Sequence, residues 1–267
     1  MTETELLLVA AAAIAVAAAT RSTWSPCGLS MLSTITPLAE RARGHRWGAT
    51  ASWFVAGSVV GGATLGLCAA ALAAGVGRLG LAGTTSAAVA CGAALIAAAS
   101  DAGVAGFRLP IHGRQVNERW LDGFRPWVYG SGFGWQIGTG VVTYIKTSGV
   151  YLMVVLCALT GRPWAALAVC TGFGLVRGLA VFLAHGITSP AALADFHRRF
   201  MARGPVALAL VVTVEVLIGS ISGWALSAWT GGLAVITATL ITAARLARRR
   251  AGVAPTRSGG SRSARTA

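Results

Sequence analysis

The chain has 267 residues, of which 55% are hydrophobic and only 11% charged, with a mean hydropathy of +0.69. A soluble domain usually carries about twice that charged fraction, so an ordinary water-soluble module is excluded and a membrane protein is indicated. The net charge of +14 does not indicate nucleic-acid binding, because no soluble domain remains to present a basic face. The arginines read instead as topology signals and as anchors beside anionic lipid.

A membrane span takes roughly 20 apolar residues, since the hydrocarbon core is about 30 Å thick and a helix rises about 1.5 Å per residue. The pattern predicts seven spans. The first runs from Glu5 to about Pro37 and is interrupted near Arg21 and Pro26. The second covers Ala49 to Val76 and the third Leu81 to Val104. The fourth covers Trp127 to Leu159, with a glycine-rich first half. The fifth covers Pro163 to His185, the sixth Gly204 to Ile221 and the seventh Gly223 to about Ala244. Only Ser222 and Gly223 separate the last two, so one long tilted helix and a total of six is the alternative.

Cations concentrate on alternate loops: Arg41, Arg43 and Arg46; then Arg108, Arg114, Arg119 and Arg125; then Arg198, Arg199 and Arg203. The acidic amino terminus (Glu3, Glu5) and the basic carboxyl end (Arg245, Arg248, Arg249, Arg250) predict an outside amino terminus and a cytoplasmic carboxyl terminus. That orientation requires an odd number of spans and favours seven. Trp47, Trp53, Trp120, Trp127 and Trp164 fall near span ends, where amphipathic rings prefer the interface. Residues 251–267, rich in Ser, Gly, Arg and Thr, read as a disordered basic cytoplasmic tail.

Spans one to three (about 5–105) and four to six (about 127–222) form two three-helix units, with an extra helix at about 223–246. An odd number of helices per unit turns the second upside down relative to the first, as in many transporters whose working site lies where interrupted helices meet. The predicted fold is therefore an all-α polytopic membrane bundle, an inverted 3+3 repeat plus one helix, over residues 1–250. Span one carries Pro26, which removes a backbone donor. Span four carries Gly130, Gly132, Gly134, Gly138 and Gly140, which permit close backbone approach. Six of the eight prolines fall in loops, at span starts or in the tail, so Pro26 stands out as an unusual placement. The similarity between the glycine-containing stretches starting at Phe54 and Phe173 fits either a weak duplication or small residues that let membrane helices pack.

Two passages share a Trp-x-x-small pattern: Trp24-Ser-Pro26-Cys27 and Trp135-Gln136-Ile-Gly138. The first, with its flanking Gly-Leu-Ser-Met-Leu, resembles the transmembrane domain of the CcdA/DsbD family of cytochrome c biogenesis and thiol-disulfide interchange proteins. The resemblance covers the first six spans in outline and implies electron transfer across the membrane by thiol-disulfide exchange, with thioredoxin-like proteins as partners on either side and Cys27 as the first redox thiol. Gly138 stands where the second motif of that family has its cysteine. Storing two electrons takes two neighbouring sulfurs, so the full relay is in question. Cys68, Cys91, Cys157 and Cys170 lack a Pro-Cys context and read as apolar fillers. Cys27 is either a small residue kept beside a proline kink or a reactive thiol activated beside Arg21.

Other polar residues fall inside predicted spans: Lys146, the only lysine; Arg177; and Glu215. A charge at midplane costs at least about 2.5 kcal/mol on insertion scales, so these side chains should face the bundle interior or a watery path. Arg177 and Lys146 read as an anion-attracting pair with Glu215 as proton carrier, or Arg177 and Glu215 as a structural ion pair while Lys146 snorkels. Asp101 is expected at the surface. Gln136, Thr139, Thr143 and Tyr144 add a polar stripe. The four histidines do not cluster, and no cofactor or metal site is expected. Three functions compete: a thiol-redox membrane protein, a transporter of a small solute or ion, and a membrane assembly factor without chemistry of its own.

Overall fold

The computed structural model describes residues 2–110, 123–142 and 145–251. Among them every regular element is a helix. Five helices are long and apolar enough to cross a membrane: α1 (Glu3–Ser22), α4 (Trp47–Leu79), α5 (Gly83–Ala102), α8 (Pro163–Leu179, prolonged by a 3-10 turn Ala180–Ala184) and α9 (Pro190–Leu226). The short helices α2 (Pro26–Thr34) and α3 (Pro37–Ala42) follow α1, while α6 (Pro126–Thr139) and α7 (Gly149–Leu159) precede α8, and α10 (Ala228–Ala251) ends the described chain. Large apolar side chains such as Val60, Leu67, Leu72, Trp164, Val206 and Leu233 stand exposed around the bundle, as expected where lipid rather than water is the solvent.

The chain departs from the predicted spans at three places. The fourth span is two helices. Gly140, at φ +69°, ends α6, and the next described helix starts at Gly149. At about 21 Å and 16 Å by helical rise, neither half crosses the hydrocarbon layer alone. The sixth span begins much earlier, at Pro190. Asp195, Arg198, Arg199 and Arg203, expected in a loop, lie on its helical first part, where Asp195 pairs with both Arg198 and Arg199. At 37 residues, or about 55 Å, α9 outruns any bilayer and keeps these charges beyond the apolar core. Its end falls at the extended Ser227 rather than at Ser222-Gly223. Pro26 is punctuation after all: it is the first residue of α2, behind the Ser25 cap, where a missing N–H costs nothing because no carbonyl awaits it. The tail beyond Ala251, with His112, Arg114, Arg119, Trp120, Thr143 and Tyr144, lies outside the described residues.

Helix α4 is the axis. It packs along α6 on one side and α8 on the other. A Cβ added at Gly57 would overlap the backbone of Ser131, and one at Gly138 the carbonyl of Ser58. On the opposite side, Gly62 and Gly174 stand backbone to backbone in the same way. Ser58 Oγ donates to the Gly174 carbonyl at 2.7 Å. Small residues therefore replace side-chain interdigitation by backbone contact, the usual means of association where lipid removes the hydrophobic drive between helices. The stretches beginning at Phe54 and Phe173 turn out to be the two facing surfaces of this joint.

A larger apolar cluster joins α1, the second half of α4, α5, α7, α8, α9 and α10, and a smaller one gathers α2, the start of α4, α6 and the 3-10 turn around Leu32, Phe54, Tyr129 and Phe133. The smaller cluster is closed by Glu40, which is fully buried. Its carboxylate accepts from Tyr129 Oη (2.7 and 2.9 Å), Thr50 Oγ1 (2.6 Å) and Arg43 Nη1 (2.9 Å). One side chain thus fastens α3, α4 and α6. Trp47 Nε1 donates to the Ile35 carbonyl at 3.1 Å beside it.

Two outcomes follow. Gly138→Cys forces α4 and α6 apart and lowers stability by about 2 kcal/mol or more, whereas Gly75→Ala, at a position with nothing within 4 Å of the added carbon, does not; thermal unfolding in detergent measures both. Tyr129→Phe removes a donor from the buried Glu40 carboxylate and costs about 1–3 kcal/mol in the same assay.

Candidate functional site

The break between α1 and α2 builds the first polar centre. Ser25 Oγ accepts from the Gly28 N–H at 3.1 Å and caps α2. Pro26 then fixes the first helical turn, which sets Cys27 as the second residue of a nine-residue helix with its side chain buried. Backbone N–H groups at a helix start favour negative charge nearby. Arg177 of α8 lies within electrostatic reach of Cys27. Arg177 is 3% exposed, its guanidinium lies 5.6 Å from the Phe173 ring centre, and its Nη2 has no hydrogen-bond partner among the described residues. A Cβ built on Gly140 would come within 3.6 Å of Arg177 Nη1. Arg177 therefore links the Cys27 helix start to the break that ends α6.

The expected companions of Cys27 divide. Trp24 packs inward: its ring stacks on Phe200 at 4.3 Å, and Nε1 donates to the Phe200 carbonyl at 2.8 Å. Trp135, its counterpart in the second passage, is 38% exposed and donates to Thr64 Oγ1 at 3.1 Å. Gln136 is half-buried, and its carbonyl accepts from Thr139 Oγ1 at 2.8 Å. Gly138 is a contact glycine, its side filled by the α4 backbone. A sulfur cannot be accommodated there without moving α4, so no internal disulfide between the two motif positions is sterically open. All five cysteines are thiols. Two of them interact elsewhere: Cys157 of α7 and Cys170 of α8 are both fully buried and lie near each other. Nothing in their spacing announced that proximity.

The charged residues regroup as well. Arg177 and Glu215 make no ion pair, contrary to the structural pairing expected for them. Glu215 is fully buried on α9, both its oxygens lack a hydrogen-bond partner among the described residues, and the charge that acts on it is Asp101. Asp101, expected at the surface, is half-buried. It binds the start of α7, where Oδ1 accepts from the Ser148 N–H at 2.7 Å and Oδ2 from the Thr147 hydroxyl. Arg21 lies on the same side, with Asp101 as its charged partner. Lys146, in the link ahead of α7, is exposed. Glu40 and Tyr129, the best-satisfied polar pair of the bundle, carried no spacing signal at all. Of the histidines, His197 meets Ser33 Oγ at 2.9 Å and His45 lies 3.4 Å from Tyr129 Oη. No group of three His, Cys, Asp or Glu residues suited to a metal occurs among the described residues.

Comparison with known proteins corrects the resemblance drawn from the Trp24–Cys27 passage. No protein-family model matches the chain, and no solved structure matches it. The chain is similar to methylamine utilization protein MauF of Paracoccus denitrificans, 34% identical over 178 residues, which is 63% of this chain and 61% of that protein. It is 32% identical over 167 residues to MauF of Paracoccus versutus (60% and 59%) and 32% identical over 165 residues to MauF of Methylophilus methylotrophus (60% and 56%). The match thus spans about three fifths of the length of these curated relatives. They carry the name MauF, not CcdA or DsbD, and cytochrome c biogenesis has no support from them. The names of these relatives assign them to methylamine utilization; the structure of this chain has five helices long and apolar enough to cross a membrane.

Proposed function

We propose that this chain is a multi-pass membrane accessory protein of methylamine utilization, without enzymatic activity of its own, that serves the assembly of a partner. The likeness to several MauF proteins at 28–34% identity is the observation that carries this reading. The architecture supports it: the described polar groups are spent on holding helices together, and no constellation of acid, base, nucleophile and metal ligand opens to water. The charge distribution supports an outside amino terminus. Arg41, Arg43, Arg46, Arg198, Arg199 and Arg203 lie at the end of the bundle away from Glu3, which touches Gly83, and basic residues favour the cytoplasmic side. Two three-helix units of opposite orientation remain part of the proposal, supported by the matching breaks after α1 and after α6.

A second reading rests on one observation, the Cys27 thiol at the start of α2 under Arg177. There Cys27 attacks a partner's disulfide to give a mixed disulfide and releases the partner's other sulfur as a thiolate that Arg177 offsets. Thioredoxin-like proteins are the partners of that chemistry.

Growth tests separate the two. Deleting the gene from its host abolishes growth on methylamine as nitrogen source and leaves growth on ammonium intact; equal growth on both would overturn the accessory role. Restoring the gene as Cys27→Ser returns growth to near wild type under the first reading. Failure of Cys27→Ser at unchanged protein level, with a mixed disulfide trapped on the wild-type chain, moves the assignment to the second.

A further inference from the structure

The last part of α8 with its 3-10 turn, the end of α1 and the first part of α9 frame a groove of about 690 Å³, within the roughly 300–1,000 Å³ of sites that take small organic molecules. Its described lining comes from residues 20–24, 176–187 and 192–203. One wall is aromatic. Trp24 stacks on Phe200, and Phe196 stacks on Phe200 in turn with ring centres 5.4 Å apart. Gly204 permits this approach, since a Cβ there would come within 3.2 Å of Trp24 Cδ1. The other wall is aliphatic, with Val176, Leu179 and Leu183. Leu179 and Leu183 are about half exposed, so this wall runs on to the outer surface of the bundle, where lipid chains lie.

The charged residues of the described lining, Asp195, Arg199 and Arg203, all belong to the first part of α9. Asp195 is engaged within its own helix by Arg198 and Arg199. That pair uses the Nη2 group of Arg199, one part of a guanidinium that carries five N–H donors. Arg203 follows one turn later, and both arginines are exposed. Beyond Gly204 the helix turns apolar, with Glu215 the only charged residue between Pro205 and Leu226. The groove therefore straddles the level at which α9 passes from headgroups into hydrocarbon, the level that tryptophan rings such as Trp24 prefer. Guanidinium forks suit phosphate oxygens, and basic segments at this level gather anionic lipid. An apolar groove with arginines at its polar end matches an amphiphile with an acyl chain and an anionic head.

We propose that this groove is a specific site for one anionic phospholipid. Arg199 and Arg203 hold its phosphate, and one acyl chain lies between the Trp24–Phe200–Phe196 wall and Leu179 with Leu183. A lipid seated in this way ties the charged start of α9 to the ends of α1 and α8. The site goes beyond the accessory role in methylamine utilization and does not depend on it.

The test uses the full chain in nanodiscs of phosphatidylcholine in which part of the lipid is replaced by phosphatidylglycerol. Native mass spectrometry counts retained lipid, and thermal unfolding follows stability. The expected result is one phosphatidylglycerol retained per chain, with a saturable rise in melting temperature. Arg199→Gln and Arg203→Gln each weaken retention about tenfold, the loss of one charge-assisted hydrogen bond. Ala192→Phe fills the groove, which Ala192 lines, and abolishes retention with every charge in place. Arg125→Gln, at the start of α6 on the other side of α4, leaves it unchanged. Arg203 is exposed, so its variant decides the matter if Ala192→Phe does not fold. Equal retention of phosphatidylcholine and phosphatidylglycerol overturns the proposal. So does an equal loss in Arg125→Gln and Arg203→Gln, which is diffuse attraction to a basic surface, or an equal rise in melting temperature with inorganic phosphate at constant ionic strength, which needs no acyl chain.

Discussion

The bundle depends on the backbone contact that α4 makes with α6 and α8. In water, a helix pair gains by hiding apolar side chains; in lipid that gain vanishes, and close van der Waals approach with a few interhelical hydrogen bonds must replace it. Gly57 and Gly138 provide the approach on one side, Gly62 and Gly174 on the other, and Ser58 adds a hydrogen bond across the seam. Three polar features flank this slab. Arg177 stands one turn beyond Gly174 on α8, the α6 break follows directly after Gly138, and the Glu40–Tyr129 clasp closes the same end of α4 and α6.

The same contact explains why a motif-based reading of Gly138 leads astray. Its position after Trp135 suggests a vacant cysteine site; its surroundings make it a position where only hydrogen fits. Two identical sequence patterns can thus serve unrelated physical ends. Around Cys27 the pattern builds a capped helix start under a buried arginine, with its tryptophan folded onto Phe200. Around Gly138 it builds a packing surface, with its tryptophan directed outward to Thr64. A name resting on the first pattern alone therefore gave way when longer stretches of chain were compared with MauF proteins.

Much of the architecture was legible. Apolar runs located α4, α5 and α8 closely, because span length is set by bilayer thickness, whereas the first span, expected to reach Pro37, ends as a helix at Ser22. Helix ends without an apolar-to-polar change were not: α9 begins at Pro190 because Ser189 caps it and a charged helix is as good as a charged loop outside the hydrocarbon. The division of the fourth span was signalled only by glycines, which serve packing and breaking alike. Among site residues, Arg177 and Glu215 were recognisable from their cost in lipid, but their partners were not, because a charge in a sequence says nothing of which neighbouring helix it will face. Glu40 and Tyr129 escaped notice because they lie 89 positions apart in segments with no pattern of their own.

With α4 joined to α6 and α8 through main-chain atoms, those three helices have no compliant layer between them and cannot slide past one another. Side-chain contacts, which adjust more easily, join Ala-rich α1 and α5 to α7 and α9. That seam is where Glu215 is buried with no hydrogen-bond partner among the described residues and where Asp101 grips the start of α7. A small displacement of α1 and α5 against that slab leaves the glycine joint intact.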